Sequence, residues 1–290
     1  MPENVLIEIP NPFPEEEGVL RVLEPPKCNR RELVRRLRDG TYGKAFVMDD
    51  GTTRSLHFCQ DFVQSSMRIA DPDALEFNYT RKVMAFLLFV PEPRNMLLLG
   101  LGGGSLAKFC HRHLPQARLA VVDNDPTVVG FRGQFMVPPD DERFEVVLGD
   151  GAEYLRRSAE RYDVIVVDAF DSEGCAPTIN TPEFYMEARE SLSPEGVLVS
   201  NLVGRKAERA EHLELIRTAF DDNVILLPVL GDGNHLAFAF PDAEYEPRWR
   251  WIKQAAKAMR ARYGLEFPKF AEKLERSRKM GYVRREMGAG

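Results

Sequence analysis

The stretch NMLLLGLGGGSLAKFCHRHLPQARLAVVDND, residues 95–125, decides the fold. A short apolar run at 96–99 predicts a buried strand, and helical spacing resumes over 105–113. A second apolar run, 119–122, ends on Asp123. A carboxylate about 20 residues beyond a glycine loop is placed to accept hydrogen bonds from ribose hydroxyls. The stretch therefore predicts a βαβ unit that binds a nucleoside, with its loop glycines at Gly100, Gly102, Gly103 and Gly104.

The same loop departs from two common nucleotide motifs. The dinucleotide fingerprint has a third glycine where this chain has Ser105. A Walker motif needs a lysine after the loop, but the only Gly-Lys pair, Gly43-Lys44, is followed by Ala45. The loop alone therefore leaves the nucleoside ligand open.

Composition is that of an ordinary globular chain that could form one large and one small domain. The chain has 290 residues, of which 44% are hydrophobic and 29% charged, and a net charge of −6. The negative charge argues against a general nucleic-acid binder and suits a cationic ligand. No apolar run of about 18 residues predicts a membrane span, and nothing resembles an export signal. The cysteines form no CxxC pair, which favours a reducing cytoplasm over a disulfide framework or a metal site: Cys28, Cys59, Cys110 and Cys175.

The first part of the chain predicts a small antiparallel sheet. Alternating runs occur at 5–9, 19–23, 45–48 and 54–58, and the Asp-Asp-Gly-Thr of 49–52 is a strong hairpin signal. An amphipathic pattern at 75–89 predicts a helix. Pro91 and Pro93 follow it, so we place a domain boundary between residues 1–90 and 91–290.

Strand and helix patterns alternate through the rest of the chain, which predicts an α/β fold with a doubly wound sheet. Only residues 230–234 separate the last two strands, too few for a parallel crossover, so these strands should be antiparallel. We expect helices at 126–135, 152–158, 182–192 and 206–220, and strands at 144–148, 162–167, 197–202, 224–229 and 235–240.

Acids follow three successive predicted strands of this sheet: Asp123, Asp150 and Asp168, with Asp171 three residues on. Each alone could be a helix cap or a turn residue. Ligands of open α/β sheets bind at the carboxyl ends of strands, so we expect all four at one site. Asp123 would hold the ribose and Asp150 the adenine amino group. Asp168 and Asp171 would attract a cation, and one would take a proton.

Four motifs in this order, GLGGGSL, VVDND, LGDGAEYL and YDVIVVDAFD, resemble those of the polyamine aminopropyltransferases, typified by spermidine synthase. The resemblance implies a seven-stranded, class I methyltransferase-like Rossmann fold behind the small N-terminal antiparallel domain. It also implies transfer of an aminopropyl group from decarboxylated S-adenosylmethionine to a putrescine-like amine, with 5'-methylthioadenosine as product. A cytoplasmic homodimer that needs no metal is expected.

Individual roles follow from the same resemblance. Asp168 is similar to the catalytic acid, and Asp171 and Tyr79 to its partners at the amine. Asp123 and Asp150 would contact ribose and adenine. Gln64 would lie near the transferable chain, and the four loop glycines together with Gly151 would surround the cofactor.

Two positions depart from the family pattern. The aspartate that grips the aminopropyl ammonium in the family falls on Gly103, and the helix motif Tyr-His-Glu has become Tyr79-Thr80-Arg81. Arg81 would either be exposed or face a carboxylate. A methyltransferase that uses intact S-adenosylmethionine and yields S-adenosylhomocysteine is therefore the alternative function.

Three further hypotheses remain. Ser105, an acid (Asp168 or Asp171) and His235 follow the chain order of an α/β hydrolase triad. A non-catalytic sensor would keep the pocket but lack turnover. The basic tail, residues 249–285, either contacts an anionic partner or forms a solvated helix face, with an inward set of Trp251, Ile252, Ala255, Ala256 and Met259.

Overall fold

The computed structural model describes residues 4–13, 17–60, 62–171, 174–229, 231 and 233–288, without the side chains of 170, 171, 174 and 175. Within this part, the N-terminal region forms a five-stranded antiparallel sheet in chain order. Its strands are β1 (Val5–Pro10), β2 (Val19–Glu24), β3 (Phe46–Asp49), β4 (Thr53–Cys59) and β5 (Phe62–Arg68). The predicted hairpin is confirmed, because Asp49 pairs with Arg54 across the turn. The sequence patterns missed β5 and the helix α1 (Arg30–Arg38).

The larger sheet has seven strands in the described chain, in the order β13-β14-β12-β9-β6-β7-β8. The five strands from β12 to β8 are parallel, and β14 is antiparallel to both β12 and β13, which confirms the predicted orientation of the last two. The predicted α/β class is thereby confirmed. The strands are β6 (Asn95–Leu99), β7 (Arg118–Asp123), β8 (Phe144–Leu148), β9 (Tyr162–Val167), β12 (Leu192–Leu202), β13 (Val224–Pro228) and β14 (His235–Ala239), and a short pair, β10 (Phe170–Asp171) and β11 (Gly174–Cys175), follows β9.

Helices cover both faces of this sheet. Alternate residues of β6 face opposite cores: Leu98 joins the core with the C-terminal helices, and Leu97 and Leu99 join the other. The chain thus builds two apolar layers around buried strands. The helices are α2 (Asn78–Val83), α3 (Ser105–His113), α4 (Pro126–Gly130), α5 (Gly151–Arg157), α6 (Pro182–Ser191), α7 (Lys206–Ala219), α8 (Trp249–Tyr263), α9 (Phe267–Met280) and α10 (Tyr282–Glu286). None of the described helices is long and apolar enough to cross a bilayer.

Two predicted helices are shorter than expected. The helix predicted over 75–89 begins only at Asn78 and continues from Met84 as a 3₁₀ helix. The carbonyls of Leu75 and Glu76 instead accept hydrogen bonds from the Arg81 guanidinium. The helix predicted over 126–135 ends at Gly130, because glycines at 130 and 133 weaken a helix.

The inward set predicted for the tail is wrong at one residue. Ile252, Ala256 and Met259 are buried on one face of α8, but the side chain of Trp251 is 64% exposed. These three buried residues follow a spacing of four and three, and Trp251 lies about 100° around the helix from Ile252. Whether the basic residues of this tail contact an anionic partner stays a prediction.

A buried charge cluster joins the small sheet to the rest of the molecule. Asp49 is 6% exposed and pairs with Arg21 at 2.5 Å and Arg54 at 2.6 Å. Arg54 also donates to the carbonyl of Gln134. The apolar core likewise runs from β3 and β4 into the large sheet. The division into residues 1–90 and 91–290 therefore stays a prediction.

We expect Asp49→Asn to destabilise the protein by about 3 kcal/mol at neutral pH, because it removes the buried carboxylate that the partly buried Arg54 and Arg21 share, although Arg21 keeps its ion pair with Glu8. Burial alone would raise the pKa of Asp49, but the Gly51 N–H and the guanidinium groups of Arg54 and Arg21 outweigh it and lower that pKa. A lowered folded-state pKa means that the stabilisation is present above about pH 4 and is lost as pH falls further. Urea unfolding at several pH values tests this. Equal stability of the variant and the wild type at pH 7 would contradict it.

Candidate active site

Strand register brings the predicted acids to one edge of the large sheet. The Gly100 N–H donates to the carbonyl of Val122 at 2.8 Å, and the Asp168 N–H donates to the carbonyl of Leu99 at 2.8 Å. Strands β6, β7 and β9 therefore end at the same level. Because β8 is also parallel to β7, Asp150 follows it at the same edge. The expectation that these acids share one edge is met for Asp123, Asp150 and Asp168.

A cavity of about 1220 Å³ opens at this edge. Typical small-molecule sites measure roughly 300–1,000 Å³, so there is room for a nucleoside and a second substrate. Among the predicted site residues, those in its wall are Gln64, Tyr79, Gly100, Gly102, Asp123, Asp150, Gly151 and Asp168. Gly103 and Gly104 do not line it, and their cofactor contact stays a prediction. The side chain of Asp171 is not among those described, so its role stays a prediction.

Gly100 lets the loop pass directly over the backbone of Asp168. Its φ is +101°, a conformation that residues with a side chain rarely adopt. A Cβ there would collide with the carbonyl oxygen of Asp168. The first glycine of the loop is thus required both by its backbone angle and by the neighbouring strand.

Asp123 ends β7 and holds the glycine loop in place. Its two carboxylate oxygens accept the N–H groups of Leu101 at 2.7 Å and Asp125 at 2.9 Å. Burial raises the pKa of Asp123, and these backbone hydrogen bonds oppose that rise. Each carboxylate oxygen has two lone pairs, so acceptor capacity remains for ribose hydroxyls.

Asp150 is the N-cap of α5, a structural role that the sequence analysis had left open for it. One carboxylate oxygen accepts the Glu153 N–H at 2.8 Å. The other accepts the hydroxyl of Thr178 at 2.6 Å, a contact that the sequence did not indicate. Both residues line the cavity. The adenine contact of Asp150 stays a prediction, now with Thr178 beside it.

Asp168 is half-buried in the cavity wall between two donors. The Tyr79 hydroxyl donates to Oδ2 at 3.1 Å, and the Asn201 amide donates to Oδ1 at 2.8 Å. Burial raises the pKa of Asp168 to about 6, against the opposing effect of these two bonds. A carboxylate with such a pKa is mostly ionised at neutral pH and can still accept a proton.

Two asparagines near Asp168 were missed by the sequence analysis. Asn201 lies in β12, where Ser200 pairs with Val167, so Asn201 stands level with Asp168. Asn234 immediately precedes β14, and its amide donates to Asn201 at 3.2 Å. The available signal was the polar pair Ser200-Asn201, which interrupts the otherwise apolar run at 197–202.

The space next to Gly103 is filled by protein. A Cβ at this position would come within 2.6 Å of the Ser65 hydroxyl and 3.0 Å of the Phe135 ring. Ser65 belongs to β5, the strand that the sequence patterns missed. This loop position therefore has no room for a larger residue without movement of its neighbours.

Arg81, bonded to the carbonyls of Leu75 and Glu76, is partly buried and supports the turn before α2.

The described residues do not assemble a hydrolase triad. Ser105 lines the cavity, with its hydroxyl 3.4 Å from that of Ser65. His235 does not line the cavity, and its Nε2 lies 3.8 Å from the Glu286 carboxylate. Also within the described part, no group of three or more His, Cys, Asp and Glu residues could hold a metal ion.

Comparison with known proteins defines the class and then the family. Residues 76–220 match the family model described as spermine/spermidine synthase domain. A polyamine aminopropyltransferase of Chromobacterium violaceum is 34% identical over 80% of this chain and 89% of its own length. Human methyltransferase-like protein 13, solved in complex with SAH, is 25% identical over 66% of this chain and 93% of its own, with a TM-score of 0.58. Spermidine synthase of Thermotoga maritima shares the fold at 18% identity over 99% of this chain and 88% of its own, with a TM-score of 0.59.

The fold is thus that of class I methyltransferase-like proteins. Within that class, the chain belongs to the spermine/spermidine synthase family, and the relatives that are 34% identical over 80% or more of this chain are polyamine aminopropyltransferases.

We expect Gly100→Ala to lower the free energy of unfolding by about 2 kcal/mol or more, because it combines an unfavourable backbone angle with a collision. Gly133→Ala is the matched control, since its φ is not positive and nothing lies within 4 Å of the added Cβ. Thermal unfolding and the affinity for an adenosyl sulfonium measure the two effects. Equal stability and binding in both variants would contradict the assigned constraint.

Proposed function

We propose that this protein transfers an aminopropyl group from decarboxylated S-adenosylmethionine to a putrescine-like amine. The observation that carries the proposal is the carboxylate of Asp168, half-buried in the cavity wall and hydrogen-bonded to Tyr79 and Asn201. Its position at the same edge as Asp123 supports a reacting centre next to a bound adenosine. A cytoplasmic location and a homodimeric state belong to the same proposal and rest on the sequence.

The transfer needs a base that removes a proton from the amine, whereas the sulfonium needs no further activation. The sulfonium is already a good leaving group, so positioning and proton removal are the tasks left to the protein. The amine nitrogen forms a bond to the aminopropyl methylene carbon that is attached to the sulfonium sulfur, and the bond between that carbon and sulfur breaks. The electron pair of that bond stays on sulfur, which gives 5'-methylthioadenosine. Asp168 takes the proton that the amine must lose.

Asp171 and Tyr79 would orient the amine in this proposal. The hydroxyl of Tyr79 already donates to Oδ2 of Asp168, so an amine bound there would contact the hydroxyl and the carboxylate together. Gln64 in the cavity wall would lie along the transferred chain. Asp123 and Asp150 would hold the ribose and the adenine.

We expect Asp168→Asn to lower the turnover rate about 10² to 10⁴-fold, the usual effect of losing a general base. Cofactor affinity should change much less, because the adenosine contacts lie on other strands. Single-turnover kinetics and calorimetry separate the two quantities. Asp39→Asn, an exposed acid of the N-terminal region, is the control. Weakened cofactor binding with an unchanged rate in the bound complex would remove Asp168 from the base role.

Methyl transfer from intact S-adenosylmethionine is the second candidate, supported by the packing at Gly103. The family's loop acid would stand where Ser65 and Phe135 fill the space. An ammonium bound there would lack that counter-charge, and burying an unpaired charge is costly. The similarity to a methyltransferase solved with SAH supports the same candidate.

Calorimetry with both sulfoniums discriminates the two candidates. For aminopropyl transfer, we expect the decarboxylated form to bind at least about tenfold more tightly, a difference of about 1.4 kcal/mol. Asp123→Asn is the control, because both ligands share the ribose and should lose affinity equally. Tighter binding of the carboxylated form would instead favour methyl transfer.

A further inference from the structure

Asp168 and two asparagines, each in or next to a different strand, form a hydrogen-bonded row. The Asn234 amide donates to Oδ1 of Asn201 at 3.2 Å, and the Asn201 amide donates to Oδ1 of Asp168 at 2.8 Å. Asn201 is only 3% exposed. Asn234 is partly exposed, and all three residues line the cavity.

The chemistry of the row determines which way the Asn201 amide points. An ionised carboxylate can only accept hydrogen bonds, so Asn201 must turn its NH₂ group toward Asp168. Its carbonyl oxygen then faces Asn234, which donates to it. Rotating the amide by half a turn would place two acceptors against each other at Asp168. Asn234 thus supports the orientation in which Asn201 donates.

We propose that Asn201 is a positioning residue for the transfer reaction: it holds Oδ1 of Asp168 in the ionised carboxylate and leaves Oδ2, beside Tyr79, to take the proton. The kinetic part of this proposal rests on the proposed function, whereas the effect on the Asp168 carboxylate does not. Asn201 acts through Asp168 and need not contact either substrate.

Electrostatics gives the proposal a measurable consequence. Burial raises the pKa of Asp168 to about 6, and the Asn201 bond works against that rise. Removal of the donor should raise the pKa further, because a hydrogen bond to the charged form favours it. Tyr79 is the other donor at this carboxylate. The remaining described ionisable groups in the cavity wall are Cys59, Glu76, Asp123, Asp125, Asp150, Glu208, Glu211 and His212.

The first test measures the carboxylate without any turnover. Carbon-13 NMR of the ligand-free protein gives the pKa of Asp168, with its resonance assigned by loss in Asp168→Asn. We expect Asn201→Ala to raise this pKa by about one to two pH units. Asn201→Asp keeps the side-chain shape but replaces the donor with a second carboxylate, so its shift should be at least as large. Ser200→Ala, the preceding residue of β12, is the matched control and should leave the pKa unchanged.

The second test is the pH dependence of transfer. The ionised base is required, so the acidic limb of the rate profile should move upward with the pKa in Asn201→Ala. The rate should fall about two- to tenfold near pH 7, as expected for a pKa shift of about one to two units, and recover toward the wild-type value at high pH. Asn234→Ala should move the limb in the same direction by less, because the amide of Asn201 loses its support but keeps its donor.

These results separate the two proposals. An unshifted pKa of Asp168 in both Asn201 variants would overturn the positioning role, even if transfer is observed. A rate loss that high pH does not restore would also overturn it, because a merely structural defect behaves in that way. If the wild type transfers no aminopropyl group, the proposed function fails, and the NMR titration still decides whether Asn201 controls the carboxylate.

Discussion

The site depends on one backbone constraint, the crossing of the glycine loop over the end of β9. The carbonyls of Leu99 and Val122 accept the N–H groups of Asp168 and Gly100, so the three central strands are fixed at one level. Only a glycine can pass at Gly100. Asp123 then fixes the other side of the loop by accepting the Leu101 N–H. All of these contacts are made within the protein, so the geometry of this edge does not depend on a ligand.

The small N-terminal sheet completes this edge. Strand β5 supplies Gln64 and Ser65, and the helix after it supplies Tyr79, so one wall of the cavity comes from outside the large sheet. Asp49 and Arg54 carry an ion-paired connection from that sheet to the Gln134 carbonyl. Removing one member of a buried ion-paired cluster is strongly destabilising. The cluster therefore helps to hold this wall of the cavity against the strand ends of the large sheet.

Elements marked by a local sequence pattern were predicted, whereas features that depend on contacts between distant residues were missed. The βαβ unit at 95–125 was readable because glycines, apolar runs and a terminal acid carry it, and the helix at 105–113 has the predicted bounds. Strand β5 was missed because its exposed Phe62 and Val63 stand beside buried Ser65, the reverse of the usual pattern. Asn201 and Thr178 act through partners that are distant in sequence, and no local periodicity marks such pairs. The predictions of a helix start at 75 and a helix end at 135 were wrong for a similar reason, because tertiary contacts and glycines determine the observed ends.

Burial and hydrogen bonding act in opposite directions on two carboxylates of the cavity wall. Asp123 and Asp168 both have a raised pKa because burial disfavours their charged forms. A hydrogen bond to the charged form favours that form, so donors beside a buried carboxylate lower its pKa. Asn201 and Tyr79 supply fixed donors that limit how far burial can raise the pKa of Asp168. Because both donors come from the protein itself, this limit on the pKa of Asp168 is present in the ligand-free molecule.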